Sequence, residues 1–397
     1  MLTVESVLAD DALRHRAFPV TRELAYLAHA AVAPLPAVTV DAITGLAQRA
    51  GSRGQFEYLL GDAELQVRGQ TAAMLAVSAD EVALVPSTSA GLSMVAAGLE
   101  WRQGDNVVVE AGDFPSNTYA WRSLRRLGVQ VREVEVGPVP LSRMHLRPHV
   151  DERTRLVALS STHYLSGRPV DDLCGIGRWL RGIGILLCVD AIQTLGAQPL
   201  CGRHIDFTVA DGHKWLLAPK GMGVLSVRRE LFPILRPAVP GWRSVEDHRT
   251  LRVQETLAST ARRYESGSLN EMGLVGLAAS LGLLAQVGQH YVTERLRAAR
   301  LRLVDGLRAL DIPVLGTPEL RDWGAIVSFH IPGTHGGEVA RELQRAGVVV
   351  SVRHDASGAE LIRAAPHFYT TDDDIDRLLD ALSGHSKCKS RHEGTKQ

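Results

Sequence analysis

Two segments carry residue types that could do covalent chemistry together. The run ILLCVD (185–190) is apolar and ends on an acid, Asp190; the next such run, IDFTVA (205–210), leads directly into DGHKW, which contains Lys214. If both runs are parallel strands, ligands sit beyond their carboxyl ends and the two side chains face one crevice. An acid and a lysine so placed suit an aldehyde cofactor. The amine joins the aldehyde carbon, and the acid keeps a pyridine nitrogen protonated. For the pair taken alone, a salt bridge beside a surface lysine is the plainer reading.

The elements that would position this pair are legible as hydrophobic runs. EVALVP (81–86), NVVVE (106–110), VQVREVEV (129–136), RLVALSS (155–161), ILLCVD, IDFTVA and GVLSVR (223–228) are short and rich in β-branched residues. Near-continuous apolarity of this kind marks strands buried on both faces. The segments between them, such as YAWRSLRRLG (119–128) and GIGRWLRGIG (175–184), suit helices. Alternation over ~150 residues predicts an α/β domain with a mostly parallel sheet. Beyond a turn-rich stretch near 240–265, a long helical region over 271–310 is followed by strands at 325–331, 348–353 and 360–366 and by helices at 337–346 and from Asp372, a smaller α+β unit. We therefore expect a large domain over 15–260, a small domain from 1–14 and 261–384, and a disordered tail over 385–397, which has almost no apolar residues.

Composition excludes several classes. Forty-four Lys+Arg balance forty-four Asp+Glu, so no charge excess points to nucleic acid or a membrane surface as partner. No apolar run reaches the ~18 residues of a membrane span, and the N-terminus lacks a signal-peptide apolar centre. Cys174, Cys188, Cys201 and Cys388 form no C-x-x-C pair and no metal-ligand spacing. Two of them sit in or near apolar stretches and read as small buried hydrophobes, and we expect a reducing, cytoplasmic compartment. A dinucleotide-dependent oxidoreductase would need G-x-G-x-x-G after a strand; GIGRWLRGIGILL lacks the third glycine and precedes its strand.

The segments VDAIQTLGAQPL and IDFTVADGHKWLLAPKGMGVLSVR closely resemble the cofactor region of class V aminotransferase-like enzymes, which use pyridoxal 5'-phosphate (PLP) and share fold type I. That family includes cysteine desulfurases, kynureninases and isopenicillin N epimerases, and the likeness runs from YLAHAAVAPLP to HFYTTDDDIDRLLDAL. It implies a large domain with a seven-stranded sheet. Lys214 would hold the cofactor's aldehyde and move the Cα proton, Asp190 would pair with the pyridinium, and Gln193 would bond the phenolic oxygen. Thr88 and Ser89 match the phosphate loop, where hydroxyls and amides at a helix start suit a dianion. His213 matches a phosphate-contacting histidine, and Phe114 the ring that stacks on the cofactor. RRYESGSLN (262–270) resembles a segment whose glycine and hydroxyl, here Ser268, reach the neighbouring subunit's phosphate, which implies a homodimer with shared active sites. Arg363 matches the arginine that clamps the substrate α-carboxylate. Arg353 is a second candidate, and His29 and Tyr164 would line the substrate pocket.

Three departures stand out. The stretch VRHDASGAELIR (352–363) has no cysteine where a desulfurase carries its sulfur-accepting thiol; Phe114 replaces a histidine; and Asp211 replaces a phosphate-cup hydroxyl. From the first two we expect an enzyme that is not a persulfide-forming desulfurase; Asp211 bears on the geometry around the phosphate. The expected reaction is elimination at the carbon–sulfur bond of an S-substituted cysteine, in specialised metabolism such as an antibiotic pathway. Aminotransfer, oxidative decarboxylation with deamination and epimerisation are the alternatives within the family, and a non-catalytic PLP-binding module is a further class.

Overall fold

Apolar side chains that alternate between two faces organise the centre of the molecule. The computed structural model describes residues 2–318, 320 and 323–392. In chain order its elements begin with α1 (Val4–Ala9), α2 (Asp11–Ala17), β1 (Ala25–Tyr26), α3 (Ala37–Arg53), α4 (Ala63–Leu75), β2 (Val82–Val85), α5 (Thr88–Gly98), β3 (Asn106–Glu110), α6 (Ser116–Arg122) and β4 (Gln130–Val134). They continue with α7 (Arg143–Leu146), β5 (Thr154–Ser160), α8 (Leu173–Gly182), β6 (Leu186–Asp190), β7 (Phe207–Asp211) and β8 (Gly223–Val227). The last are α9 (Glu271–Val287), α10 (Gln289–Ala309), β9 (Val327–Phe329), α11 (Gly336–Arg345), β10 (Val348–Val349), β11 (Ser351–His354), β12 (Glu360–Ala364) and α12 (Asp372–His392).

Seven strands form one sheet in the order β2-β8-β7-β6-β5-β3-β4. It is parallel except that β8 runs antiparallel to both its neighbours. Strand residues take alternate faces. Val108, Val157, Leu159, Leu187 and Val189 enter one core, and Val107, Val109, Leu156, Ala158 and Cys188 enter the other. Both faces are covered by helices, as a parallel sheet requires. Helix α5 lies against β7 so closely that a Cβ on Gly91 would come within 2.5 Å of Val209 Cγ1; only glycine permits this approach.

The region 271–310 is two helices rather than one. Gly288, at φ +90°, ends α9, and α10 departs at 82°. Apolar along nearly its whole surface, α9 packs on α3 and α4 and joins the hydrophobic cluster on one face of the seven-stranded sheet. A separate core lies here: α11 packs on β11 and β12 and α10 on β9 of the three-stranded sheet β11-β12-β9, and α12 packs on α10. The tail expected to be disordered from 385 continues as helix to His392, and 393–397 lie outside the described residues. Among the described residues, no single helix is long and apolar enough to cross a membrane.

The cysteine reading needs correction. Cys174, at the start of α8, and Cys201 form a disulfide across 27 residues, with Cα atoms 6.0 Å apart. Cys188 is buried on β6. Sequence spacing gave no sign of the pair, because the partners meet only once β6 and its loop fold back along α8. Such a closed loop restrains the unfolded chain, an effect of roughly 3 kcal/mol for this length. Reduction should therefore lower the apparent Tm by several degrees, and Cys174→Ser should make the Tm insensitive to reductant. Calorimetry with and without a phosphine reductant checks both.

Candidate active site

The carboxyl edge of the sheet gathers the expected residues. Asp190 ends β6, Lys214 follows β7, and the strands pair in parallel with Asp190 opposite Val209. A cavity of about 280 Å³ opens there, lined by Ser87, Thr88, Ser89, Phe114, Tyr164, Asp190, Gln193, His213, Lys214, Arg353 and Arg363 among others. Of the residues singled out from sequence, only His29 and Ser268 are missing from its walls.

Burial sets the electrostatics. Asp190 is 2% exposed and accepts from the Ile192 amide at 2.9 Å. Desolvation, with Asp113 adding a like charge, pushes its carboxyl up to about 7. Desolvation first, then the cationic Arg363, brings Lys214 down to about 8. The Lys214 ammonium lies 5.5 Å from the centre of the Phe114 ring, and that ring meets Tyr164 edge-on at 5.3 Å. The Phe114 loop is held by Asp113, whose carboxylate accepts from the Phe114 amide, Ser160 Oγ and Asn117 Nδ2. Beyond Lys214 the backbone turns tightly: Leu217 adopts φ +57°, a left-handed conformation that costs such a residue about 1–2 kcal/mol.

An anion cradle lies at the start of α5. Ser87 caps the helix through the Ala90 amide at 3.1 Å, leaving the amides of Thr88 and Ser89 without partners inside the helix. Ser89 and Ser116 hydroxyls touch at 2.7 Å. Thr88 Oγ1 accepts from the Asp211 amide at 3.0 Å, so its own proton remains to be donated. The Asp211 carboxylate lies beside the cradle with its Oδ2 3.1 Å from His213 Nδ1.

The substrate side is built by β11 and β12. Ser351 faces Arg363 across this antiparallel pair, so Arg353 and Arg363 share a face. Arg363 is 1% exposed. Its Nε donates to Ser351 Oγ at 3.2 Å and Nη1 to the Tyr164 carbonyl at 2.6 Å, while buried Nη2 has no protein partner. Burial and the nearby Arg353 lower its guanidinium to about 9. A buried cation with an unused donor is suited to a carboxylate.

His29 stands elsewhere. It is fully buried, with Nδ1 2.8 Å from the Ala365 carbonyl and Nε2 2.6 Å from the Tyr369 hydroxyl. Both ring nitrogens serve the segment that follows β12, and burial holds the imidazole near 4, neutral. Ser268 is exposed, away from this chain's own cavity. Sequence reasoning missed Ser87, Ser116 and Trp215, although Trp215 stands next to Lys214. A second cavity of about 530 Å³ adjoins the first at Tyr164 and is lined by Pro115, Arg168 and His354–Ala356. A third, of about 390 Å³, holds the Cys174–Cys201 pair and none of the Lys214 set.

The residues present fit PLP: a neutral-tending lysine, a buried acid, a helix-start cradle and a carboxylate-seeking arginine share one cavity. The family model for aminotransferase class-V matches residues 25–378. A probable cysteine desulfurase of Methanothermobacter thermautotrophicus is 31% identical, over 92% of this chain and 96% of its own. Probable cysteine desulfurase 2 of Mycobacterium leprae is 29% identical, over 95% of each. Among solved structures, the apo cysteine desulfurase from Thermococcus onnurineus NA1 superimposes with TM-score 0.86 at 23% identity, covering 98% of this chain and 99% of that one. A complex of the cystine C-S lyase C-DES with cysteine persulfide gives 0.84 at 24% identity, covering 92% and 99%. These two likenesses establish the shared fold.

The relatives overturn the expected reaction. Proteins matching nearly the whole chain are named as desulfurases, so neither the cysteine-free 352–363 stretch nor Phe114 sets the chain apart as an eliminating enzyme of specialised metabolism. That expectation rested on two local departures, the cysteine-free 352–363 stretch and Phe114, against a likeness that spans nearly the whole chain. A lowered Lys214 fixes a pH dependence for cofactor loading. The amine is reactive when neutral, so the rate of PLP uptake by apoprotein should rise through about pH 8 and level off above it. Stopped-flow absorbance measures this; a rate still climbing near pH 10 would contradict the site's electrostatics.

Proposed function

This chain belongs to the aminotransferase class-V family, and from that premise we propose that it takes sulfur from L-cysteine and passes it to a thiol, leaving L-alanine. The observation that carries the reading is the buried, unpartnered Nη2 of Arg363 in the same small cavity as Lys214. It selects an α-amino acid, and the full-length relatives named as cysteine desulfurases supply the side chain.

PLP, when bound, supplies the electron sink for the bond broken at Cα. The chain's own residues do the rest. Arg363 holds the carboxylate and fixes which Cα bond lies in the reactive direction. Lys214 Nζ, neutral above about pH 8, takes the Cα proton. Asp190 keeps the proton on the ring nitrogen, since a cation beside it restores the carboxylate's charge. Phe114 and Tyr164 keep water from the reacting carbon. An acceptor thiolate attacks the cysteine sulfur and the Cβ–Sγ bond breaks with its electron pair left on carbon. Proton return gives alanine, so cysteine plus thiol yields alanine plus persulfide, in balance.

Among the described side chains, no thiol reaches this cavity: Cys174 and Cys201 are paired and Cys188 lies in the core. The loop before β12 is closed instead by Asp355 Oδ1, which accepts from the Ser357 and Ala359 amides. In this reading the acceptor is an external thiol, and the adjoining cavity of about 530 Å³ gives it a way in. Holoenzyme given L-cysteine and dithiothreitol should form alanine and hydrogen sulfide in equal amounts, the sulfide leaving as the dithiothreitol persulfide closes to its cyclic disulfide, and Lys214→Ala should form neither. Pyruvate and ammonia in place of alanine would refute the reading.

The same reading includes a homodimer. Ser268 is exposed, its neighbour Gly267 lies close to the Trp242 indole, and the exposed Trp242 and Leu65 adjoin in sequence the Arg243–Glu64 ion pair. A second copy covering this face would receive Ser268 at its own cradle. Trp242→Asp should yield monomers by sedimentation velocity that lose PLP on dialysis. A monomeric wild-type protein that retains PLP would count against it.

A further inference from the structure

A glutamine that is to donate to a cofactor oxygen must present its nitrogen, and an amide can point either way. Gln193 is 3% exposed and forms part of the catalytic cavity wall. Its Oε1 accepts from Trp215 Nε1–H at 2.9 Å, and its Nε2 donates to the Ala30 carbonyl at 3.0 Å. An indole nitrogen only donates and a carbonyl only accepts, so these partners leave the amide one orientation. The oxygen and one N–H are used, and the second N–H stays on the nitrogen. Reversing the amide would set two donors together at one end and two acceptors at the other, in a buried place where each unmade bond is costly.

Trp215 is itself fixed from the other unit. It is fully buried, and its carbonyl lies 3.2 Å from His367 Nε2. His367 Nδ1 accepts from the Phe368 amide at 2.9 Å, so the ring proton is on Nε2 and is donated to Trp215. The His367 ring lies 5.7 Å from the Trp215 ring and the His29 ring 6.4 Å from it. None of these groups touches a reacting atom.

We propose that Trp215 is a positioning residue for the cofactor's phenolic oxygen: it fixes the amide of Gln193 with an N–H toward that oxygen, and His367 fixes Trp215. The inference rests on the reading of Gln193 as the residue that faces the phenolic oxygen. A hydrogen bond donated there stabilises negative charge on the oxygen and favours the deprotonated form of the bound chromophore. Losing the donor, or letting the amide reverse, therefore raises the pH at which the chromophore loses its proton.

The measurement is the absorbance of holoenzyme titrated with pH, without substrate. Trp215→Phe keeps an aromatic ring and removes the N–H. It should move the midpoint up by roughly half a unit to one unit, the scale of one hydrogen bond. Gln193→Ala should move it at least as far, and the double variant no farther than Gln193→Ala alone, because the two act through one bond. His367→Phe is the second variant if Trp215→Phe does not retain cofactor, with a smaller shift in the same direction. A midpoint moved by Gln193→Ala but by neither Trp215→Phe nor His367→Phe overturns the positioning role and leaves the reading of Gln193 intact. A midpoint unmoved by Gln193→Ala overturns that reading as well.

Discussion

Burying a carboxyl and an amine at neighbouring strand ends is the constraint on which the rest of this structure depends. Neither Asp190 nor Lys214 keeps its ordinary ionisation there: one is drawn up to about 7 and the other down to about 8. The shifts oppose each other, so the dry site favours a less charged pair than water would. A cofactor with a basic ring nitrogen and an electrophilic carbon relieves both at once. The acid gains a cation and the amine gains a carbon to attack. Everything placed around them, from the Phe114 ring to the α5 cradle, can be understood as keeping that site dry while leaving room for a dianion.

The second unit contributes the substrate's anchor, and it does so through buried polar groups that must all be satisfied. Arg363 is tied to Ser351 and to the Tyr164 carbonyl, which belongs to the large domain. Burial keeps His29 and His367 neutral; His29 holds the segment after β12 at Ala365 and Tyr369, and His367 ties the same segment to the Trp215 carbonyl. The carboxylate clamp and the cofactor lysine are thus registered against each other by hydrogen bonds in the core, where their geometry is firm. Registration matters because a displacement of about 1 Å in a reacting group can cost roughly a hundredfold in rate.

The Cys174–Cys201 bridge belongs to the same logic. It closes the segment that contains Asp190, Gln193 and Thr194 onto α8. Thr194 in turn touches the hydroxyls of Ser161 and Thr162 at 2.6 and 2.9 Å, and Ser161 reaches the Asp190 carbonyl. The loop that bears the cofactor contacts is therefore pinned from both sides.

By itself the sequence determined the sheet, because strands buried on both faces read as continuous apolar runs; NVVVE is strand over the same residues, 106–110, and ILLCVD over all but its first. It also placed Asp190 and Lys214 at one edge of that sheet, since an acid and a lysine ending successive parallel strands have one edge to share, while their chemistry was implied by the family resemblance. What only the tertiary structure decided are contacts between residues far apart in the chain. His29 looked like a pocket residue, but its partners lie more than 330 residues away. The disulfide joins cysteines with no local signature, and a glycine within a long helical pattern, as at 288, does not by itself fix the 82° turn found there. The orientation of Gln193 follows from Trp215 and Ala30 together. A pattern of residue types reports burial and local conformation, whereas hydrogen-bond partners are set by which surfaces the packed core brings within about 3 Å.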